Sequence, residues 1–134
     1  MIWHLNLRGW ASHNAELSAR VELADTKPSI ICLNETFLHK AVEHVCLPGY
    51  SVVCRLDRRS GSEGGGVLAL ALNNLASAIT HIQDADDTDE RVWMLLHAHT
   101  GPILLCAWYR PPGDSESPDV DRFFGELDKL RPEA

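Results

Sequence analysis

Apolar and polar residues alternate from 2 to 8 (Ile-Trp-His-Leu-Asn-Leu-Arg), a period of two that predicts a strand, and Gly9 ends it. Residues 12–26 switch to helical spacing, with Leu17, Val21 and Ala24 on one stripe. Ser12 or Asn14 is the expected cap, and Lys27-Pro28 the stop. Residues 29–33 form a continuous apolar run, the pattern of a strand buried on both faces. Strand, helix and strand in so short a span predict a βαβ-like unit with a right-handed crossover.

The periodicity then weakens. Residues 38–46 predict at most one or two helical turns, and Pro48-Gly49 a turn. Residues 50–55 read as a strand and 57–66 as a charged, glycine-rich loop. Residues 67–72 (Val-Leu-Ala-Leu-Ala-Leu) fit a strand or a buried helical turn. Gly64-Gly65-Gly66 before them and Asn73-Asn74 after them favour the strand. Residues 77–82 predict a weaker strand, and 84–90 an acidic loop. Residues 92–98 and 103–109 predict two strands joined by a hairpin at Thr100-Gly101-Pro102. After a loop from Arg110, a helix is expected over 118–131, with Ser117 as cap and Pro118 in the first position. Its stripe would be Val120, Phe123, Phe124, Leu127 and Leu130.

Length and composition narrow the class. The 134 residues fit one domain, and 45% hydrophobic residues suffice for a core. A net charge of -7 argues against a protein that simply coats nucleic-acid phosphates. It leaves a nuclease open, because a metal ion brings its own positive charge and acidic ligands. Cys32, Cys46, Cys54 and Cys106 show no C-x-x-C spacing, and three of them lie in apolar runs. A disulfide framework is therefore not expected, which points to a reducing compartment. With no leader and no apolar run near the about 20 residues of a spanning helix, the expectation is an intracellular chain. It would be cytoplasmic or nuclear, neither secreted nor membrane-embedded.

Three polar groups fall where predicted strands stop, the place where α/β folds build sites. Glu35 follows the second strand and suits Mg²⁺, a cation of oxygen ligands. Asn6 ends the first, and its amide can orient a water, a carboxylate or a phosphate oxygen. Tyr109, followed by Arg110-Pro111-Pro112, offers a phenol and a guanidinium to a phosphate. Each alone has a plainer reading: a solvated Glu, a satisfied strand-end Asn, an aromatic packed on a proline turn. Arg55, Arg58 and Arg59 form a small basic patch, either a backbone contact for nucleic acid or a solvated loop. His97 and His99, at i and i+2, fit an exposed strand face better than a metal site. The acidic residues of 84–90 fit a solvated loop.

In order along the chain, Leu5-Asn6-Leu7-Arg8-Gly9, Ile30-Ile31-Cys32-Leu33-Asn34-Glu35-Thr36, Pro48-Gly49-Tyr50, Gly64-Gly65-Gly66-Val67 and Trp108-Tyr109-Arg110-Pro111-Pro112 resemble the endonuclease/exonuclease/phosphatase superfamily. The branch most similar is the endonuclease domain of non-LTR retrotransposons. The resemblance implies an α/β fold: the N-terminal portion of a deoxyribonuclease-like, four-layer β-sandwich flanked by helices. Residues 1–134 would form a partial domain. It implies Glu35 and Asn6 as metal residues for Mg²⁺ or Mn²⁺, and Asn6, Glu35 and Tyr109 as catalytic residues. DNA would be the partner, Arg110, Arg58 and Arg59 weaker substrate contacts, and a reverse transcriptase a neighbour in one polyprotein. Two departures bear on activity. The superfamily's Gly-Asp-x-Asn segment and its Asp-His pair do not occur, and Gly113-Asp114-Ser115-Glu116 only imitates the first. Asn34 also stands where the superfamily often has Gln. The alternatives are an inactive remnant or interaction module, and a phosphatase or phosphodiesterase of a lipid or small molecule. Half a sandwich would further be expected to leave one inner sheet face uncovered, making the chain marginally stable.

Overall fold

The computed structural model describes residues 1–39, 44–58, 65–84, 90–109 and 118–130. The chain runs β1 (Ile2–Asn6), α1 (Trp10–Leu23), β2 (Ile30–Asn34), β3 (Tyr50–Leu56), β4 (Val67–Leu72), α2 (Asn73–Ala76), β5 (Ile79–Asp84), β6 (Glu90–Ala98), β7 (Gly101–Tyr109) and α3 (Pro118–Leu130). It is a mixed α/β fold with two sheets, ordered β1-β2-β4-β3 and β5-β6-β7. β1 and β2 pair in parallel, as the expected strand-helix-strand unit requires, and every other ladder is antiparallel.

The Leu/Ala alternation of β4 explains why it is a strand. Leu68 and Leu70 face α1, packed with Trp10, Leu17, Val21, Ile31 and Leu33. Val67, Ala69 and Ala71 point the other way, against Val92, Met94 and Ala107 of the second sheet. A period of two puts bulk toward the helix and small side chains toward the sheet. The small residues let the two sheets approach closely. β2 is buried on both faces, as its apolar run predicts.

The second sheet covers the first, so the expected bare inner face is not what the structure shows. The chain supplies strands to both sheets, and each seals the other over β2, β4 and β3. β1, an edge strand of the first sheet, keeps exposed residues at every second position. The outer face of the second sheet is covered by α3. Phe123 stacks between Trp93 and Trp108, with ring centroids 5.3 and 5.0 Å away. Beside them Arg91 and Glu126 form a buried bidentate ion pair, 3.0 Å from Nε to Oε1 and 2.7 Å from Nη2 to Oε2. Trp93 Nε1 donates to the same carboxylate.

Several sequence expectations change. α1 begins at Trp10, with Gly9 as its cap at φ 110 and no side-chain cap, so Ser12 and Asn14 lie inside the helix. Asn14 instead donates to the carbonyl of Trp10. α2 was not anticipated. Phe124 is 54% exposed, because Glu126 claims the sheet-facing side and turns the helix toward the Phe123–Glu126 row. The β6–β7 turn is His99-Thr100, so His99 is a turn residue and does not share a strand face with His97. Of the 38–46 segment, residues 40–43 lie outside the described residues, and the remainder is not helical. Ser117 also lies outside them. Among the described residues, no helix is long and apolar enough to cross a membrane.

The four cysteines are free. Burial pushes the Cys54 and Cys106 thiols up to about 12 and raises Cys32 as well. A thiol reagent at about pH 8 should therefore label exposed Cys46 in the native chain and reach Cys54 and Cys106 only on unfolding. Unfolded thiols ionise from 9.0, whereas these two stay protonated when folded up to about 12. Their contribution to stability is present below pH 9.0 and is lost as pH rises through that interval. Alkaline melting curves followed by tryptophan fluorescence test the sign.

Candidate functional site

Because β1 and β2 are parallel, both deliver their C-terminal residues to one end of the first sheet, with Asn6 beside Asn34 in the last register position. The two segments stay bonded beyond the strands. Leu7 N–H donates to the Asn34 carbonyl, Gly9 N–H to that of Glu35 and Trp10 N–H to that of Thr36, at 2.7 to 2.8 Å. Holding this register forces unusual backbone. Arg8, Glu35 and Phe37 have φ of 56, 54 and 58, all left-handed and none glycine. Such residues cost on the order of 1–3 kcal/mol each and collect at functional sites.

β7 of the second sheet brings Tyr109 to the same end. Its hydroxyl donates to Glu35 Oε1 at 2.9 Å, across 74 residues of sequence. Tyr109 is buried and Glu35 half-buried. Burial raises the phenol pKa first. The hydrogen bond to the Glu35 carboxylate, its charge and that of Glu90 add to the rise, and Arg58 opposes it. The phenol is thus a neutral donor at neutral pH, and Glu35 keeps Oε2 free of protein hydrogen bonds among the described residues.

Glu90, expected in a solvated loop, opens β6 opposite Tyr109 and is buried. Its carboxylate takes the Arg58 guanidinium at 3.1 Å and the backbone N–H of Gly66. The glycines follow from this. Gly65 and Gly66 have φ of 66 and 100. A Cβ on Gly65 would overlap the Arg58–Glu90 pair, and one on Gly66 would overlap Thr36 Oγ1. The expected result for Gly66→Ala is a loss of about 1–3 kcal/mol, since both its φ and the Thr36 contact resist a side chain. Urea unfolding of the variant checks it.

The other candidates divide. Asn6 reaches the same sheet end but is exposed, with no side-chain hydrogen bond among the described residues. It shares with Arg8 and His13 an open cleft of about 320 Å³ at the free edge of β1. Arg58 stands near Tyr109 but is engaged by Glu90, and Arg55 is paired with Asp57 at 2.9 Å, so neither offers a bare cation to a phosphate. Arg59, Arg110 and Gly113–Glu116 lie outside the described residues, as do 85–89 of the acidic segment. His97 and His99 sit at the far end of the β6–β7 hairpin from Tyr109.

Among the described residues there is no group of three or more His, Cys, Asp or Glu that could hold a metal. Mg²⁺ keeps several waters and is often bound by one or two carboxylates and the substrate's phosphate oxygens. Glu35, with one oxygen taken by Tyr109 and the other open, fits such a role. Sequence reasoning missed Glu90. Its signal was position: the first residue of an apolar strand, in the inward-facing register of Val92 and Met94. Comparison of the sequence with protein-family models and with curated proteins gave no match.

Proposed function

We propose that these residues form the N-terminal part of a Mg²⁺-dependent phosphodiester hydrolase of the endonuclease/exonuclease/phosphatase superfamily, acting on DNA as non-LTR retrotransposon endonucleases do. The observation that carries this reading is the Tyr109–Glu35 hydrogen bond. Two residues far apart in sequence, Glu35 named by the resemblance for the metal and Tyr109 for the scissile phosphate, meet at one end of two facing sheets. The packing of α1 on one sheet and α3 on the other supports the deoxyribonuclease-like, four-layer arrangement.

In this reading Glu35 would hold the ion through its open oxygen, with Asn6 orienting a coordinated water or a phosphate oxygen. Bound there, Mg²⁺ would stabilise charge developing on the phosphate during in-line attack by water. Tyr109 keeps its proton and donates it in a hydrogen bond, either to Glu35 or to a non-bridging oxygen of the substrate. Its burial preserves that donor across the physiological range. The sequence contains no Asp followed directly by His and no Gly-Asp-x-Asn. Water activation therefore rests on groups these residues do not supply.

The test is nicking of supercoiled plasmid by the complete polypeptide that carries this sequence, with and without Mg²⁺, beside its Glu35→Ala variant. Metal-dependent nicking that vanishes in the variant is the expected result. Turnover of an inositol phosphate or a lipid phosphoester without nicking would move the activity to another branch of the superfamily. No turnover of any of these substrates would leave a remnant fold.

A further inference from the structure

The Asn34 side chain, not used above, belongs to the residue before Glu35 and reaches the residue before Tyr109. It is 6% exposed. Its Nδ2 lies 3.4 Å from the carbonyl oxygen of Trp108 on β7 and 3.1 Å from His4 Nε2 on β1. Its backbone carbonyl also accepts from Leu7 N–H at 2.8 Å. One residue thus joins three strands, two in the first sheet and one in the second. The bond to Trp108 repeats, one residue earlier on both strands, the link that Tyr109 makes to Glu35.

Two features show that this amide is held for its donor end. Its Oδ1 is buried with no hydrogen-bond partner, an arrangement that folding resists. Turning the amide over would place Oδ1 against the Trp108 carbonyl, oxygen facing oxygen, and would lose the bond between sheets.

We propose that Asn34 is a positioning residue of this site, an inter-sheet tether that sets the distance between Glu35 and Tyr109. The inference rests on the site described above but concerns its geometry, so its test does not need turnover. A leucine at 34 has similar size and no donor, and it frees the end of β7 from β2. A tether acting through the site displaces the Tyr109 hydroxyl from Glu35, whereas a general packing role disturbs both tyrosines or neither.

The chain has two tyrosines, which makes the experiment simple. Tyr50 donates to the Pro28 carbonyl at 2.7 Å, away from the site, and serves as the internal control. Carbon-13 labelling at tyrosine Cζ gives one resonance for each. In Asn34→Leu the Tyr109 resonance should move in the direction it takes in Glu35→Ala, with Tyr50 unchanged. A Tyr109 resonance that stays at its wild-type position overturns the tether. If Asn34→Leu does not fold, the wild-type chain decides. The Asn34 side-chain amide should exchange with solvent at least about tenfold more slowly than that of exposed Asn74, and equal rates overturn the proposal. Loss of nicking activity would bear on the functional reading and leave this result standing.

Discussion

Glu126→Ala is expected to cost about 3–5 kcal/mol, a large share of the about 5–15 kcal/mol that holds a typical domain together. Arg91 is 0% exposed and Glu126 2%. The guanidinium lies 4.7 Å from the Trp108 ring and 5.8 Å from that of Phe123, within the aromatic layer under α3. Removing the carboxylate takes the bidentate counter-charge of Glu126 from a buried cation and the acceptor from Trp93 Nε1. The cost arises from that exposed imbalance, because forming a buried pair gains little over apolar packing. The double variant Arg91→Met with Glu126→Leu should therefore recover most of the loss. Urea unfolding of wild type, single and double variants measures it. A single variant within about 1 kcal/mol of wild type would show that the pair is solvated in the folded chain.

The largest effect on activity is expected at Glu35. In the complete polypeptide Glu35→Ala should reduce Mg²⁺-dependent cleavage by about 10²–10⁴-fold or more, the range for removing one positioned charge or acid–base group. Glu35→Gln separates two roles. It keeps an oxygen to accept from Tyr109, so the local fold survives, but it loses the charge that attracts the ion. If Gln and Ala are equally inactive, charge is the requirement. If Gln retains activity near wild type, Glu35 serves by holding Tyr109 and the metal lies elsewhere. Titrating Mg²⁺ in the cleavage assay for each variant distinguishes these outcomes.

Much of the fold is legible from hydrophobic period alone. The Leu/Ala alternation of β4, the apolar run of β2 and the paired runs of β6 and β7 each lead to a strand. The segments that resist reading have identifiable causes. α1 starts two residues early because a glycine at φ 110 caps it through the backbone, where sequence rules look for a side-chain oxygen. Phe124 belongs to the helical stripe by spacing, yet a buried Glu126 turns the helix away from it. Glu90 and Glu126 carry charge and so resemble surface residues. Their partners Arg58 and Arg91 are 32 and 35 residues away, and only the folded chain makes the pairs.

The candidate site divides in the same way. Strand ends place Asn6, Glu35 and Tyr109 at plausible positions one at a time. Periodicity says nothing about which ends meet, because that depends on how one sheet stacks on another. The resemblance named the three residues together, and the structure brings two of them into contact. The left-handed backbone at Arg8, Glu35 and Phe37 has no signature in residue type, since none of the three is glycine or asparagine.

The central claim is that a divalent cation binds at Glu35 beside Tyr109. Mn²⁺ tests it most directly, since it substitutes for Mg²⁺ and broadens nearby NMR signals. Titrated into the tyrosine-labelled chain, Mn²⁺ should broaden the Tyr109 resonance at concentrations that leave Tyr50 sharp. Mg²⁺ should compete the effect away, and Glu35→Ala should abolish it. Equal broadening of both tyrosines, or selective broadening of Tyr109 that persists in Glu35→Ala, would contradict the claim.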